Sequence, residues 1–260
     1  MEQIEQIMLQ KAGKDLKQFK KPFLNRRINA RMRALGVQDG SEYAKLLEID
    51  LDEPSRLFKS FSINVTEFYR DLFVWECMSS QIIPKIIQGN KQSIKIWSAG
   101  CASGEEPYSL AILLKEALGD RNIEFRIIAT DINSEALQVA SNGMYNPANL
   151  KNLSSNLIEK YFVKLDNGRY QIKEDLKNFV TFEHGDILSF QINDVNLISC
   201  RNVLIYYDKP AQELIFKKFH NSLIKDGFLV IGQDETMMGI NTTKLFSCML
   251  PRERIYGRGA

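Results

Sequence analysis

Residues 94–114 read IKIWSAGCASGEEPYSLAILL, and this segment is the strongest indication of the fold type. The apolar run Ile94–Trp97 has the character of a buried strand, and a mostly apolar helix begins near Pro107. The turn between them contains Gly100 and Gly104. A strand, a glycine turn and a helix in this order form the first unit of a nucleotide-binding α/β sheet.

The start of this helix carries two acids, Glu105 and Glu106. Free N–H groups and the helix dipole make a helix start a site for phosphate, and two carboxylates would repel it. The glycine spacing G-x-x-x-G also differs from the dinucleotide motif and from the P-loop. We therefore expect a ligand without phosphate. Glu105, nearer the turn, is the candidate ligand residue, and Glu106 is expected to complement the helix dipole.

Apolar runs of strand length alternate with helical segments in the rest of the chain. Such runs lie at residues 94–97, 125–130, 179–182, 195–199 and 228–231. This alternation predicts an α/β fold with a mostly parallel sheet and helices on both faces. Two further runs around Pro251, at 246–250 and 253–256, predict a closing antiparallel hairpin.

The interval from about 143 to 178 is too long for one crossover helix. It contains Asn167-Gly168 between two runs that alternate in polarity. This dipeptide is typical of a two-residue hairpin turn in which both residues have positive φ. We infer a small antiparallel β insert here.

The chain divides into a helical N-terminal domain at 1–82, a linker at 83–92 and the α/β domain at 93–260. Residues 1–33 contain nine basic and three acidic residues, whereas the whole chain has a net charge of +2. This basic segment is either a solvated helix face or an electrostatic landing surface for an acidic partner, protein or nucleic acid.

The composition excludes several classes of protein. No apolar run reaches the roughly 18 residues of a membrane span, and the first ten residues lack the layout of a signal peptide. We therefore expect a protein that is neither exported nor embedded in a membrane. Four cysteines without a C-x-x-C pair, and only two histidines, argue for a reduced cytosol and against a zinc site.

Polar residues follow the predicted strands, at the edge where ligands lie in an open parallel sheet. Asp131 follows the second strand, where a carboxylate can accept hydrogen bonds from both ribose hydroxyls. Asp186 and Ile187 follow the third strand and suit an adenine ring. Arg201 and Asn202 interrupt the apolar run of the fourth. A cationic nucleoside without phosphate fits this set, and S-adenosylmethionine is such a molecule.

Some of these candidate residues could instead have structural roles, as helix caps or in surface ion pairs. Asp131 could cap the following helix, although Asn133 is a better cap. Upstream, residues 62–71 read SINVTEFYRD, in which Asn64 and Glu67 have the spacing of a capping box. Arg70, one turn later, could pair with Glu67 on a helix surface.

Four blocks of the sequence together resemble the CheR family of chemotaxis receptor methyltransferases. They are NVTEFYRD, WSAGCASGEEPYS, ATDI and SCRNVLIYY, which occur in the family's order and extend the resemblance over nearly the whole chain. The resemblance implies a class I S-adenosylmethionine-dependent methyltransferase domain with a Rossmann-like sheet, the small β insert and an all-α N-terminal domain. It further implies methyl esterification of glutamate side chains on cytoplasmic helices of chemoreceptors, with S-adenosylhomocysteine as the second product.

The resemblance also implies roles for individual residues. Arg70, which would orient the acceptor carboxylate, and Tyr206, near the transferred methyl, are the catalytic candidates. The implied cofactor-binding residues are Asn64, Thr66, Arg70, Gly100, Glu105, Asp131, Asp186, Ile187, Arg201 and Asn202. No metal is expected, because a glutamate carboxylate is already ionised at neutral pH and can attack a sulfonium methyl directly.

The same resemblance gives the basic segment a partner. Acceptor helices of the family are rich in glutamate, so we expect residues between Lys11 and Arg33 to dock them, and we expect no nucleic-acid partner. The protein would act in the cytoplasm, recruited to receptor arrays at the inner membrane. The tight turn at 166–168 leaves little loop for a receptor tail peptide and argues against tail binding.

Two other functions are compatible with the sequence. A methyltransferase for another substrate, such as RNA, could use the basic segment to meet phosphate. However, neither the loop typical of base amino-methylation nor a Pro-Cys nucleophile is present. A non-catalytic module that only binds S-adenosylmethionine would not need Arg70 or Tyr206.

Overall fold

The computed structural model describes residues 1–62, 66–89, 93–238 and 243–259, which belong to two compact units. The first unit comprises residues 1–63 and 205–212, and the second comprises residues 64–204 and 213–260. The units therefore divide after residue 63, upstream of the domain boundary predicted at residue 82.

The first unit contains the helices α1 (Glu2–Ala12), α2 (Lys21–Ala34), α3 (Gly40–Ile49) and α4 (Glu53–Lys59). Apolar residues at helical spacing, among them Phe23 and Ile28, bury one face of α2. Asp39 caps α3, because its side chain accepts a hydrogen bond from the Glu42 N–H at 3.3 Å. This unit confirms the predicted all-α N-terminal domain.

A buried ion pair joins α2 to α4 in the first unit. Glu53 is fully buried, and its carboxylate accepts two hydrogen bonds from Arg31, at 2.8 Å from Nε and 2.5 Å from Nη2. The Tyr43 hydroxyl donates to Glu53 Oε1 at 2.7 Å. Arg31, which the sequence groups with the docking cations, is therefore used to neutralise an internal carboxylate.

The second unit contains the remaining helices and all the named strands. In chain order these are α5 (Leu72–Cys77), α6 (Ile83–Gly89), β1 (Ser93–Ala99), α7 (Glu105–Leu118), β2 (Glu124–Asp131), α8 (Ser134–Asn142), β3 (Met144–Tyr145), α9 (Ser155–Tyr161), β4 (Phe162–Lys164), β5 (Tyr170–Ile172), α10 (Glu174–Lys177), β6 (Val180–His184), β7 (Val195–Cys200), α11 (Lys209–Ser222), β8 (Leu223–Ile231), β9 (Phe246–Leu250) and β10 (Ile255–Arg258). The first residues of α11 are grouped with the first unit.

The main sheet has the strand order β6-β2-β1-β7-β8-β10-β9. The first five strands in this order run parallel, and β10 pairs antiparallel with both β8 and β9. The β7 side chains are all buried, as expected for a strand covered on both faces. The predicted α/β fold and the closing antiparallel hairpin are confirmed.

The core of the second unit lies on both faces of this sheet. Ile96 and Trp97 are neighbours on β1 and point to opposite faces, and both are fully buried. The Trp97 ring packs edge-to-face against Phe219 of α11, with ring centroids 5.4 Å apart. None of the helices within the described ranges has the length and apolar character needed to cross a membrane.

The predicted insert is a three-stranded antiparallel sheet of order β3-β5-β4. Its turn differs from the predicted two-residue type. Gly168 has φ +79°, whereas Asn167 does not have a positive φ. The Leu165 N–H donates to Arg169 O at 2.8 Å, so the loop comprises three residues, 166–168. Asn167 Oδ1 instead accepts from the Arg169 N–H at 3.0 Å.

The region from 66 to 82 is less uniformly helical than the sequence predicts, whereas the described part of the predicted linker is more helical. Residues 66–71 form neither helix nor strand, and α5 begins only at Leu72. A five-residue π-helical stretch, Met78–Ile82, then leads into α6. The described part of the predicted linker, residues 83–89, is α6 itself, with Ile83 and Ile86 buried in the core.

Candidate functional site

The carboxyl ends of β2, β1 and β7 bring the predicted ligand residues to one edge of the sheet. Ala99 of β1 pairs with Thr130 of β2, and Ser98 pairs with Ser199 of β7. Gly100 directly follows β1, Asp131 is the last residue of β2 and Arg201 directly follows β7, so these residues lie at the ends of neighbouring strands. This is the edge at which open parallel sheets bind their ligands.

The glycine turn after β1 is fixed against its neighbours in the fold. The Gly100 N–H donates to Thr130 O at 2.8 Å. Gly100 has φ +83°, and a Cβ there would lie 2.4 Å from Val203 Cγ2. At Gly104, with φ +94°, a Cβ would lie 2.7 Å from the Ala140 Cβ. Both glycines therefore lie against protein side chains, Val203 and Ala140, at the position that a Cβ would occupy.

Asp131 is a fixed carboxylate at the end of β2. It is 7% exposed, and its Oδ2 accepts from the Ala102 N–H at 2.8 Å, within the glycine turn. Its Oδ1 accepts from the Asn133 N–H at 2.9 Å. Asn133 is the cap of α8, because its side chain accepts from Glu135 N and Ala136 N. Asp131 is therefore not needed as a helix cap.

Glu105 is almost fully buried at the start of α7. It is 2% exposed, its Oε2 accepts from Ser103 Oγ at 2.7 Å, and its Oε1 accepts from Asn149 Nδ2 at 2.9 Å. Burial raises the pKa of its carboxyl to about 7, and the hydrogen bonds from Ser103 and Asn149 oppose this increase. Such a carboxyl would be stabilised in its charged form by a cation.

Glu106 points inward and has partners of its own. Its Oε1 accepts from Ser98 Oγ at 2.8 Å, and its Oε2 lies 3.8 Å from Arg201 Nη1. Its role is therefore wider than the predicted complement to the helix dipole, because it contributes to the electrostatic environment of Arg201.

Arg201 joins the sheet edge to segment 66–71. Its side chain is 2% exposed. Nη2 donates to the Arg70 carbonyl oxygen at 2.9 Å and to Asp71 Oδ2 at 2.7 Å. The guanidinium carbon lies 5.8 Å from the centre of the Trp75 ring, and Trp75 Nε1 also donates to Arg70 O, at 2.8 Å. The main chain at Arg70 is thus held from two sides.

Segment 66–71 has an unusual backbone. Tyr69 has φ +50° and Asp71 has φ +59°, in the left-handed region that costs non-glycine residues about 1 kcal/mol or more each. The Tyr69 N–H donates to Ser109 Oγ at 3.2 Å. Thr66 and Arg70 are both half-buried. Asn64, the other cofactor candidate of this motif, lies outside the described residues.

Asp186 and Ile187 follow β6, the strand next to β2. The Gly185 N–H donates to the Asp131 carbonyl oxygen at 3.0 Å, which links the two strand ends. Asp186 Oδ1 accepts from the Leu188 N–H at 2.9 Å, and Ile187 is 4% exposed. Asp186 therefore shapes a turn that begins next to Asp131 and contains the buried Ile187.

The loop after β7 contains a polar atom without a partner. Asn202 has φ +62°, and its Oδ1 is buried without a hydrogen-bond partner in the described part of the chain. Glu235, which no sequence motif identifies, is 3% exposed and fixes this loop. Its carboxylate accepts from Val203 N at 2.7 Å, from Leu204 N at 2.6 Å and from Gly232 N. The local sequence GQDE, with two adjacent acids, does not indicate such a role.

Tyr206 belongs to the first compact unit. Its ring centroid lies 4.7 Å from that of Phe23 on α2, and its carbonyl oxygen accepts from the Lys20 N–H at 2.9 Å. The structure thus places Tyr206 among the helices of the N-terminal unit, whereas the remaining described site residues belong to the second unit.

The second unit's residues fit a cationic nucleoside. Its sheet edge presents carboxylates at Glu105 and Asp131 and the unpartnered acceptor Asn202 Oδ1, and the buried cation there, Arg201, already contacts Asp71. Acceptors of this kind suit an ammonium group and ribose hydroxyls. No cluster of three or more histidine, cysteine, aspartate or glutamate residues that could hold a metal ion occurs within the described ranges.

Comparisons with known proteins agree on one family. Residues 64–253 match a family model described as the CheR methyltransferase SAM-binding domain, and residues 1–62 match one described as the CheR methyltransferase all-alpha domain. The chain is 34% identical over 247 residues to a chemotaxis protein methyltransferase of Borreliella burgdorferi, covering 90% of this chain and 86% of the relative. Chemotaxis protein methyltransferases of Salmonella typhimurium and Escherichia coli are 32% and 31% identical, over 90% and 89% of this chain and 83% and 82% of theirs.

Proposed function

Because the chain belongs to the CheR methyltransferase family, we propose that it methylates glutamate side chains on the cytoplasmic helices of chemoreceptors. It is an S-adenosylmethionine-dependent methyltransferase. The proposed products are a glutamate 5-O-methyl ester and S-adenosylhomocysteine, and the proposed role is sensory adaptation. For this reaction the protein would act in the cytoplasm, at receptor arrays of the inner membrane.

One observation carries this proposal: Arg201 attaches segment 66–71, which bears Arg70, to the sheet edge that bears Glu105 and Asp131. The main chain that bears the Arg70 side chain is thereby held at a fixed position relative to the proposed cofactor residues. A receptor glutamate is an anion at neutral pH, with a reference pKa of about 4.3, and a guanidinium binds a carboxylate with two parallel hydrogen bonds. We propose that Arg70 orients the acceptor glutamate in this way.

The main task of the protein in this reaction is to position the acceptor carboxylate against the methyl group of the cofactor. The cofactor supplies a methyl group on a sulfonium, which an ionised carboxylate oxygen can attack without a general base. Alignment of two such reactants contributes about 7–11 kcal/mol to the acceleration of comparable reactions. The Arg70 carbonyl oxygen accepts hydrogen bonds from Arg201 and Trp75, and this fixed backbone is consistent with the requirement for positioning.

We assign the remaining site residues to the cofactor. Glu105 would accept hydrogen bonds from the ammonium of the methionine part, and Asp131 from the ribose hydroxyls. Asp186 and Ile187 would flank the adenine, and Tyr206 would lie near the transferred methyl. The other proposed contacts, to the methionine part and the reacting end of the cofactor, are Asn64, Thr66, Gly100, Arg201 and Asn202.

Docking of the receptor is proposed to use the basic residues between Lys11 and Arg33. On α2 the exposed cations are Lys21, Arg26 and Arg33, whereas Arg31 is paired with Glu53 and Arg27 is half-buried. The glutamate-rich helices of receptors would be attracted to these exposed cations, and such attraction acts mainly on association and specificity.

The proposal is tested by transfer of a radiolabelled methyl group to receptor cytoplasmic fragments. We expect base-labile label on glutamate with the wild-type protein. Arg70→Ala should nearly abolish turnover, while the affinity for S-adenosylhomocysteine, measured by calorimetry, changes much less. Arg126→Ala on the exposed side of β2 is the matched control. An equal loss of turnover and of cofactor affinity would reassign Arg70 to cofactor binding, and label absent from glutamate would overturn the proposed function.

A further inference from the structure

The insert meets segment 66–71 through a short helical turn, Pro147–Leu150, that follows β3. Asn149 makes two kinds of contact there. Its carbonyl oxygen accepts from the Phe68 N–H at 3.0 Å. Its side-chain Nδ2 donates to Glu105 Oε1 at 2.9 Å and lies 3.4 Å from the Thr66 carbonyl oxygen. One amide group therefore contacts both the buried carboxylate and the segment.

Asn152, three residues later, contacts the segment alone. Its Nδ2 donates to Glu67 Oε1 at 3.1 Å and to the Phe68 carbonyl oxygen at 3.2 Å, and lies 3.4 Å from the Tyr69 carbonyl oxygen. The neighbouring Lys151 Nζ forms an ion pair with Glu67 Oε2 at 2.6 Å. Glu67 is thus held by the insert rather than acting as the second member of a helix capping box.

These contacts matter because segment 66–71 has no regular secondary structure to hold it. Its backbone includes left-handed residues at positions 69 and 71, a conformation that persists only where surrounding contacts impose it. The acceptors that face the two asparagines are carbonyls and carboxylates, so a neutral N–H₂ donor is required. An aspartate at either position would have the same shape but would repel Glu105 or Glu67.

We infer that Asn149 and Asn152 are positioning residues for the methyl transfer. They hold the segment that bears Arg70, and Asn149 also couples that segment to Glu105. The inference rests on the role proposed above for Arg70. The insert therefore contributes to the geometry of the transfer site through its own side chains. Neither residue touches the reacting atoms; each acts through the segment.

The two asparagines should give different kinetic patterns. Asn152→Ala is expected to lower kcat for receptor methylation by about 100-fold, because misplacement of a reacting group by about 1 Å costs that much. The affinity for S-adenosylhomocysteine, measured by calorimetry without receptor, should stay within about two-fold. Asn149→Ala should lower both kcat and that affinity, because Glu105 loses its donor. The aspartate variants at each position should be at least as impaired as the alanine variants.

Asn156→Ala, at an exposed position on α9 of the same insert, is the control and should keep wild-type values. Melting temperatures of all variants are measured in parallel. If Asn152→Ala keeps wild-type kcat, or if kcat and cofactor affinity fall together at Asn152, the inference is wrong. If the wild-type protein itself forms no base-labile methyl ester on receptor fragments, the proposed function fails instead, and the two failures are distinguishable.

Discussion

At the scale of single residues, the buried carboxylate of Glu105 lowers the stability of the unliganded fold and favours the proposed binding of a cation. Its carboxyl is 2% exposed, and burial raises its pKa from 4.5 to about 7. Below pH 4.5 the group is protonated in both the folded and the unfolded protein. Between 4.5 and about 7 the unfolded protein loses this proton first, so the free energy of unfolding falls as the pH rises. Above about pH 7 the full penalty, about 3 kcal/mol, is present.

We therefore expect Glu105→Gln to change stability and binding in opposite directions. At about pH 8 the unliganded variant should melt at a higher temperature than the wild type, because it has no buried charge. Its affinity for S-adenosylhomocysteine should be lower. The wild-type affinity should rise between about pH 6 and pH 8 as Glu105 ionises, and the variant should lack this dependence. Calorimetry across the pH range measures both, with the exposed Glu124→Gln as control.

Arg31 and Arg26 lie five positions apart on α2 and differ in burial and partners. Arg31 binds the fully buried Glu53, whereas Arg26 is exposed, with its guanidinium 5.9 Å from the Phe23 ring centre. Removal of one partner of a buried pair leaves an uncompensated charge, so Arg31→Ala should lower the free energy of unfolding by about 3 kcal/mol. Arg26→Ala should lower it by less than about 0.5 kcal/mol.

Charge reversal at Arg26 should raise the KM for receptor fragments, because docking is proposed to use the exposed cations of α2. Urea unfolding measures the first difference and receptor titration the second. Lys45→Glu on α3 controls for net charge, and adding Glu53→Gln to Arg31→Ala should recover part of the lost stability. An unchanged KM after Arg26→Glu would remove Arg26 from the proposed docking surface.

At the scale of elements, the glycine turn after β1 interlocks with the loop after β7. A Cβ at Gly100 would lie 2.4 Å from Val203 Cγ2, and Gly100 also has φ +83°. Gly100→Ala should therefore destabilise the protein through both overlap and backbone strain. Gly168→Ala, at φ +79° with nothing within 4 Å of its Cβ, isolates the strain alone, about 1 kcal/mol. Chemical denaturation compares the two variants.

Val203→Ala should restore part of the stability of Gly100→Ala, because it removes the overlapping methyl groups but leaves the strain. If Gly100→Ala and Gly168→Ala lower the free energy of unfolding equally, the loop after β7 moves away from the added Cβ without a loss of stability. The same loop holds Asn202 and is bonded to Glu235, so the cofactor affinity of Gly100→Ala should fall as well.

Elements with a strong sequence pattern are the ones that could be predicted. The main strands are apolar runs separated by helices, and this order fixes parallel pairing and therefore the edge that carries Asp131. The hairpin of the insert was also recognisable, but the φ of Asn167 was not, because the same dipeptide fits a three-residue loop. The sequence predicts a helix at 66–71, but the structure has none there. The contacts that hold this segment come from distant parts of the chain and cannot be read from its local composition.

At the scale of the whole molecule, contacts between distant parts of the chain could not be predicted. Arg201 and Asp71 are separated by 130 positions, and their bond depends on the left-handed backbone at Asp71. Asn149 looks like an ordinary loop residue until the insert folds beside Glu105. The strand ends therefore predict candidate residues for the cofactor, whereas the residues that hold segment 66–71 depend on tertiary structure.

The division into two units leads to a last prediction, which concerns Tyr206. Residues 205–212 group with the helices of the first unit, whereas Glu105 and Asp131 belong to the second. If Tyr206 lies near the transferred methyl, S-adenosylhomocysteine should slow amide hydrogen exchange in residues 205–212. The helices α1 and α3 of the same unit serve as internal references and should change much less.

Ligand at 100 times its Kd stabilises the unit that binds it by about 2.7 kcal/mol, which slows exchange through opening of that unit about 100-fold. Asp131→Asn, which weakens the proposed contact with the ribose, should lose the protection throughout. Protection in the second unit without any change in residues 205–212 would contradict the proposed role of Tyr206 and leave Arg70 as the catalytic candidate.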